Sequence, residues 1–290
     1  MFEINGETRV VGILGDPVAH TLSPAMQNAA FAALDLNFVY LPFQVSKTDL
    51  AAAVAGLRAL GLAGVNVTVP HKEAVLPYLD EVAEEARLIG AVNTIVNRGG
   101  RLKGHNTDAT GFLKAVVEAG FEPRGAAAVI LGAGGAARAV SFALALAGAR
   151  RIAIFNRTYA RAEALAEEVS GATGVWAAAL PWDELAKCGV EVMGTANIVV
   201  QTTSLGMHPQ EAAAPPVPAN AFRKEQLVVD LVYNPPRTEF LRLAEECGAR
   251  TENGVGMLLY QGAAALELWT GRQAPVGVMR EALERVLGQR

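Results

Sequence analysis

The chain has 290 residues, 51% of them hydrophobic and 19% charged, a composition that supports packed cores and excludes an intrinsically disordered protein. The length suits one large domain or two ordinary ones. The formal net charge of −4 and the lack of a Lys/Arg cluster in the sequence argue against a nucleic-acid-binding protein. The sequence contains no run of about 20 apolar residues and no signal-peptide pattern, so we expect a cytoplasmic protein with no membrane partner.

Residue types that commonly bind metals are scattered along the sequence. The four histidines lie far apart, and the two cysteines, Cys188 and Cys247, are isolated. Neither cysteine has the spacing of a metal site, so we expect buried or half-buried free thiols and no metal.

Strand-like and helix-like segments alternate along the first part of the chain. Short apolar runs predict strands at residues 10–14, 38–43, 65–69, 92–97 and 102–106. A helix is predicted after Ser23 and Pro24, because serine suits the cap and proline the first helical position. A second helix is predicted at 49–60, and a further helix start is expected just after Pro70.

A second alternating series begins near Ala126. Strands are predicted at residues 126–131, 151–155, 198–202 and 227–232, and helices at 135–147, 160–169, 237–247, 256–270 and 276–287. This alternation predicts an α/β protein with largely parallel sheets covered by helices. We expect two domains with a boundary between Asn106 and Ala126, while the pattern leaves open where the last helices pack.

The strongest single motif is a glycine-rich turn between a strand and a helix at residues 129–138. Gly132 permits the tight turn, Gly134 lets the backbone approach a pyrophosphate, and Ala137 allows contact between the helix and the strand. The predicted phosphate-binding residues are Gly132, Ala133, Gly134, Gly135 and Ala136. The alternative is a tight turn that binds no ligand.

The end of the next strand indicates which dinucleotide binds. A carboxylate at this point accepts the ribose hydroxyls of NAD, but here the strand ends in Asn156, Arg157 and Thr158, followed by Arg161. Two arginines would bind a 2′-phosphate through charge-assisted hydrogen bonds. The sequence therefore favours NADP(H), the alternative being two solvated surface arginines.

Polar residues also recur at predicted strand ends and helix starts in the first half of the chain: Thr21 and Ser23, residues 66–72, Asn93, and residues 106–108. Together with the glycine-rich turn, these residues resemble the pattern of the shikimate dehydrogenase family. The resemblance spans nearly the whole chain in order. Its matching stretches are residues 15–24, 64–72, 90–94, 106–108, 132–138, 156–158 with Arg161, 202–207, 230–235 and 253–257 with Gln261.

The resemblance implies a fold and a set of roles. Residues 1–108 and 254–290 would form a substrate-binding catalytic domain with a mixed, mostly parallel sheet, to which the C-terminal helices return, and residues 109–253 a Rossmann-type NADP-binding domain. Lys72 and Asp108 match the catalytic pair. The residues matched to substrate binding are Thr21, Ser23, Thr68, Asn93, Tyr233 and Gln261, and those that border the cofactor are Glu84, Leu231 and Gly254.

The implied activity is the reversible NADPH-dependent reduction of 3-dehydroshikimate to shikimate, in the pathway to chorismate and aromatic amino acids, by a monomer or homodimer. Lys72 would supply or accept the proton that ketone reduction requires. Two positions depart from the family pattern: Thr21 stands where many members have serine, and His105 where aspartate or glycine is common.

Three alternatives remain open from the sequence. A shikimate/quinate dehydrogenase of broader specificity would differ in pocket volume near Thr21 and Thr68. Another two-domain dehydrogenase of this architecture, such as one acting on folates, would not need Thr21, Ser23 and Asp108 together. A non-catalytic regulator could retain the pocket without Lys72 or Asp108, yet both are present.

Overall fold

The computed structural model describes residues 4–288, apart from the side chains at positions 188 and 189. The chain divides into two compact units, Met1–Gly111 with Leu258–Arg290, and Phe112–Met257. The family resemblance predicts divisions at residues 108 and 254, three to four residues before the ends of these units. Each unit has its own sheet and its own hydrophobic core.

The first unit contains a six-stranded sheet in the order β2-β1-β3-β5-β6-β4. Its strands are β1 (Arg9–Gly15), β2 (Phe38–Gln44), β3 (Gly64–Val67), β4 (Glu81–Val82), β5 (Thr94–Arg98) and β6 (Arg101–His105). β5 pairs antiparallel with both β3 and β6, and the other pairs are parallel. The sheet is therefore mixed and mostly parallel, as predicted.

The helices of the first unit cover this sheet. They are α1 (Ser23–Ala33), α2 (Leu50–Ala59), α3 (Glu84–Ile89), and the first part of α4 (Thr107–Glu118), with the later part of α9 (Val255–Thr270) and α10 (Val276–Leu287). α10 packs against α1, and the buried Trp269 of α9 donates from its indole nitrogen to the Ile95 carbonyl at 3.0 Å. The implied return of the C-terminal helices to the first unit is confirmed.

The second unit contains a six-stranded sheet in the order β12-β11-β10-β7-β8-β9, in which every pairing is parallel. Its strands are β7 (Ala127–Leu131), β8 (Arg151–Asn156), β9 (Trp176–Pro181), β10 (Ile198–Gln201), β11 (Leu227–Asp230) and β12 (Arg250–Glu252), and its own helices are α5 (Gly135–Leu146), α6 (Tyr159–Thr173), α7 (Leu185–Gly194) and α8 (Glu239–Glu246). Parallel strands buried on both faces explain the continuous apolar runs of β7 and β10. Their carboxyl ends meet at one edge of the sheet, the usual position for a dinucleotide.

Two predicted details of helix starts are wrong. The cap of α1 is Leu22, and Ser23 is its first helical residue rather than its cap. No α-helix starts directly after Pro70: the chain forms turns there and then a single 3₁₀ turn at Leu76–Tyr78, and the next α-helix is α3. Ser23 and Lys72 are therefore held by contacts other than a regular helix cap.

Candidate active site

The candidate site of the first unit is built around a lysine and an aspartate on different segments. Lys72 lies in the turn after β3, and Asp108 is the second residue of α4. The Lys72 Nζ lies 2.6 Å from the Asp108 Oδ2, and the two side chains are only 14% and 6% exposed. The Val92 N–H donates to the Lys72 carbonyl at 2.8 Å, which fixes the turn. The result is a mostly buried ammonium that can exchange a proton, paired with a carboxylate that orients it.

The side chain of Asn93, which precedes β5, is held in one orientation by its neighbours. Its Oδ1 accepts from the Thr107 backbone N–H at 2.7 Å and from the Thr94 hydroxyl at 3.2 Å. Because a backbone N–H only donates, the atom that faces it must be the amide oxygen. The Asn93 Nδ2 donates to the Thr107 hydroxyl at 2.9 Å and lies 3.5 Å from the Gln261 Oε1. The fold thus brings Asn93 and Gln261 together, and the second Asn93 N–H, directed at the Gln261 Oε1 over this long distance, is the one that a ligand oxygen could take over.

A buried set of residues behind Asn93 was not predicted as part of the site. The Tyr40 hydroxyl donates to the Asn66 Oδ1 at 2.8 Å, and the Asn66 Nδ2 donates to the Thr94 hydroxyl at 3.0 Å. These bonds connect β2, β3 and β5 and fix the hydroxyl that holds Asn93. Asn66 was visible in the sequence as a polar residue at a strand end, whereas nothing in the sequence pattern links it to Tyr40.

His71, next to the lysine, is also an unpredicted part of this site. It is fully buried, and its Nε2 lies 2.7 Å from the Val45 carbonyl oxygen. A carbonyl only accepts, so Nε2 carries the proton. His71 therefore anchors the turn that carries Lys72 to the segment after β2.

The remaining predicted substrate residues of the first unit lie at the start of α1 and just after β3. The Thr21 hydroxyl donates to the Ser23 Oγ at 3.2 Å and accepts from the Ser23 N–H at 3.3 Å, so the two hydroxyls form one small cluster. Thr68 follows β3 and packs against Gly15. A Cβ at Gly15 would lie only 2.2 Å from the Thr68 Cγ2, so the Thr68 methyl group occupies the space that a side chain there would need. The Val67 N–H donates to the Asn93 carbonyl at 2.8 Å, which places the end of β3 beside Asn93.

The glycine-rich turn of the second unit has the shape that a pyrophosphate needs. Gly132 has φ of +120°, and a Cβ there would lie 2.4 Å from the Thr202 hydroxyl, so glycine is required. At Gly134 nothing lies within 4 Å of a built Cβ, which leaves the backbone open to a ligand. α5 begins at Gly135 without a side-chain cap, so its first N–H groups remain available to phosphate oxygens. Ala133 and Ala136 lie in the same turn and helix start.

The end of β8 presents cations rather than a carboxylate. Arg157, Thr158 and Arg161 are exposed, and the Asn156 Nδ2 donates to the Thr158 carbonyl at 2.9 Å. This donor set fits a ribose that carries a 2′-phosphate, because guanidinium groups bind phosphate and no acidic residue stands at the strand end to repel it.

The predicted cofactor neighbours Leu231 and Gly254 lie against each other. A Cβ at Gly254 would lie 2.1 Å from the Leu231 carbonyl oxygen, so the two backbones meet there only because residue 254 is glycine. Tyr233 is half-buried in the same unit, whereas Glu84, the first residue of α3, is exposed in the first unit.

Residues 4–288 hold no group of three or more His, Cys, Asp or Glu side chains suited to a metal ion, apart from what the side chains at 188 and 189 could contribute. None of the helices in this part of the chain is both long and apolar enough to cross a bilayer. Cys247 is a half-buried free thiol, and the Cys188 side chain lies outside the described part.

A nucleotide-binding turn in one unit and a buried proton-exchanging pair in the other are the two components of an α/β dinucleotide-dependent oxidoreductase. Family models match most of the chain: the shikimate dehydrogenase substrate binding domain at residues 13–95, shikimate/quinate 5-dehydrogenase at 116–236, and the shikimate 5′-dehydrogenase C-terminal domain at 254–284. The chain belongs to the shikimate dehydrogenase family.

Individual relatives agree over the full length. The shikimate dehydrogenase (NADP(+)) of Desulforamulus reducens is 52% identical over 285 residues, which cover 97% of both chains. The shikimate 5-dehydrogenase of Listeria monocytogenes, solved in complex with shikimate and NAD, superposes with a TM-score of 0.90 at 41% identity, covering 98% of this chain and 99% of that one. The Thermus thermophilus enzyme, solved with NADP(H) and shikimate, gives a TM-score of 0.84 at 42% identity, covering 96% and 100%.

Proposed function

We propose that the chain catalyses the reversible NADPH-dependent reduction of 3-dehydroshikimate to shikimate, with Lys72 and Asp108 as the catalytic residues. The observation that carries this proposal is the mostly buried pair with Nζ and Oδ2 2.6 Å apart. A surface ion pair of this kind would be commonplace. A mostly buried pair beside an oriented amide is what transfer of a proton to a small polar substrate requires.

In the direction of reduction, the Lys72 ammonium donates a proton to the oxygen that was the ketone, as negative charge develops there. Asp108 orients the Lys72 ammonium and balances its charge. In the direction of oxidation, the neutral amine accepts the hydroxyl proton. NADPH, when bound, supplies the hydride. Membership of the family and the named NADP(+) relatives support this assignment.

The substrate is a carboxylate with several ring hydroxyls. Thr21 and Ser23, whose hydroxyls are 3.2 Å apart, bind the carboxylate in this proposal, and Thr68, Asn93 and Gln261 bind ring hydroxyls. Because the Asn93 Oδ1 already accepts from the Thr107 N–H, Asn93 acts as a donor through its Nδ2. Tyr233 completes the substrate contacts. A substrate that lacks a matching oxygen would leave such groups unpaired, which is the basis of selectivity.

The first unit binds the substrate and the second unit binds NADP in this proposal. The pyrophosphate lies against Gly132, Ala133, Gly134, Gly135 and Ala136, and the 2′-phosphate against Asn156, Arg157, Thr158 and Arg161. Glu84, Leu231 and Gly254 border the cofactor. The free start of α5 and the open space at Gly134 support the first of these placements.

We further propose that the enzyme works in the cytoplasm on its small-molecule substrate, without nucleic-acid or membrane partners, as a monomer or homodimer. The net charge of −4 supports the lack of a nucleic-acid partner. Light scattering after size-exclusion chromatography would measure the oligomeric state.

The experiment that tests the proposed function is an absorbance assay of the reduced nicotinamide, with shikimate or quinate as substrate and NADP⁺ or NAD⁺ as cofactor. We expect turnover with shikimate and NADP⁺, and much weaker turnover with the other three pairs. Comparable turnover of quinate would assign the broader shikimate/quinate specificity, for which the Thr21 methyl is the first residue to examine. Failure of all four pairs, with the ligands still bound, would contradict the proposal and favour a regulator.

A further inference from the structure

A carboxyl group lies buried at the edge of the second sheet where the dinucleotide is proposed to bind. Asp230 ends β11 and is fully buried. Its carboxylate accepts from three donors: the Thr238 hydroxyl at 2.6 Å, the Val232 N–H at 3.0 Å and the Gln201 Nε2 at 3.2 Å. The donors come from three segments: the end of β10, the segment after β11 and the residue that caps α8.

Gln201 extends these contacts into the loop after β10. Its Nε2 also donates to the Leu205 carbonyl at 3.0 Å, and its Oε1 accepts from the Thr203 N–H. Thr238, in turn, accepts from the Leu241 N–H at 3.3 Å and so caps α8. One carboxylate therefore fixes the loop after β10 and the segment after β11 relative to each other.

Both of these segments contact residues proposed to bind NADP. Thr202, next to Gln201, donates from its hydroxyl to the Leu131 carbonyl at 2.7 Å and occupies the space beside Gly132. Leu231, next to Asp230, lies against Gly254. A shift of either segment would change the surface that is proposed to contact the dinucleotide.

We propose that Asp230 is a positioning residue for NADP, whose ionised carboxylate holds the loop after β10 and the segment after β11 in their binding conformation. The inference rests on the proposed function and deepens it. Asp230 does not itself contact the cofactor in this proposal and acts through Gln201, Val232 and Leu231.

The contacts of Asp230 make its action dependent on pH. Burial raises the pKa of Asp230 to about 6, although the bonds from Thr238, Val232 and Gln201 act to lower it. These three partners are neutral, and the charged residues that flank Thr238 pair elsewhere, Arg237 with Glu245 and Glu239 with Arg242. A protonated carboxyl must donate its own proton. Of the three partners only the Thr238 hydroxyl can accept it, and that hydroxyl then no longer donates to the carboxyl. Protonation therefore weakens the set of bonds.

The test is calorimetric titration of the full chain with NADP⁺ between about pH 5 and pH 8, for wild type and Asp230→Asn. The 2′-phosphate of the cofactor titrates in the same range, so the readout is the ratio of the two Kd values at each pH. We expect the variant to bind about fivefold more weakly at pH 8, the equivalent of one hydrogen bond. The ratio should approach one as the pH falls below about 6, where wild type is protonated too.

Glu252→Gln is the matched control, because Glu252 is a carboxyl of the same sheet, exposed at the end of β12, whose pKa is also raised, chiefly by desolvation. Its Kd ratio to wild type should stay near one at every pH. A pH-independent ratio for Asp230→Asn, or the same convergence for Glu252→Gln, would overturn the proposal.

If Asp230→Asn does not fold, Thr238→Val removes the shortest of the three bonds and should show a smaller effect of the same form. Wild type that binds no NADP⁺ would overturn the proposed function as well, which distinguishes the two failures.

Discussion

Asp108 is the charged partner of Lys72: its Oδ2 lies 2.6 Å from the Lys72 Nζ, and only 6% of its side chain is exposed. Asp108→Asn retains the shape of the side chain but leaves the ammonium without a counter-charge. We expect kcat/KM to fall about 10²- to 10³-fold, within the usual range for a group that assists proton transfer. Steady-state kinetics with shikimate and NADP⁺ would measure the loss.

The matched control for this variant is Asp183→Asn, because Asp183 faces Lys187 at 3.8 Å on the surface. Its kinetics should equal those of wild type. An Asp108→Asn enzyme with a wild-type kcat/KM would show that the buried carboxylate has no part in the chemistry.

Arg157 lies exposed at the end of β8, where the 2′-phosphate is proposed to bind. Arg157→Ala removes a charge-assisted hydrogen bond of about 1.5–3 kcal/mol, so KM for NADP⁺ should rise about 10- to 100-fold while KM for NAD⁺ changes little. Arg150→Ala, an exposed arginine just before the same strand, is the control and should alter neither constant. Equal effects on both cofactors would contradict a 2′-phosphate site.

The turn between β7 and α5 shows how an element depends on one residue. Gly132→Ala places a Cβ 2.4 Å from the Thr202 hydroxyl at φ of +120°, so the variant should lose about 1–3 kcal/mol of unfolding free energy and bind NADP⁺ weakly. Gly171→Ala is the matched control, because Gly171 lies in α6 with nothing within 4 Å of the new methyl group. It should gain up to about 1 kcal/mol. Urea denaturation and NADP⁺ titration would measure both, and equal stabilities would contradict the structural role of Gly132.

Elements were predictable where their signals are local. The β7 strand, the glycine-rich turn and α5 follow one another directly, so their sequence pattern is complete in itself. β9 was not predicted, because its alanines have low strand propensity and its place beside β8 is decided by packing. α3 and α7 were also missed, being short helices between clearer segments.

The site was predictable to the extent that its residues carry their own chemistry. Asn93 precedes a strand, Asp108 stands at a helix start, and Lys72 lies in the turn after β3, and at each of these places a motif is visible in the sequence. The bonds from Tyr40 through Asn66 to Thr94 were not predictable, because they join strands that become neighbours only in the folded sheet. The same holds for Asp230, whose donors come from three separate segments.

The buried Asp230 makes the free energy of unfolding of the whole chain depend on pH. Its pKa is about 6 when folded against a usual value of 3.8, chiefly because burial disfavours the charge. The folded chain therefore binds a proton on Asp230 more tightly than the unfolded chain does. Binding of this proton stabilises the folded state at low pH, and that stabilisation is lost as the pH rises from about 4 through about 6. A pKa shift of this size changes the free energy of unfolding by about 3 kcal/mol.

Asp230→Asn removes the titrating group, so its unfolding free energy relative to wild type should rise by up to about 3 kcal/mol between about pH 4 and pH 7. Urea unfolding followed by tryptophan fluorescence at several pH values would measure this difference. A difference that does not vary with pH would show that Asp230 titrates normally in the folded chain.

In the proposed mechanism Lys72 exchanges the proton of the reaction, so the kinetics of Lys72→Met with shikimate and NADP⁺ are the decisive measurement. Methionine keeps the length and apolar stem of lysine without the ammonium. We expect kcat to fall about 10²- to 10⁴-fold with KM for shikimate changed only a few-fold and NADP⁺ binding retained. Lys103→Met, which removes a surface lysine 3.6 Å from Glu81, should behave as wild type. A Lys72→Met enzyme that retains kcat within tenfold of wild type would show that Lys72 does not exchange the proton.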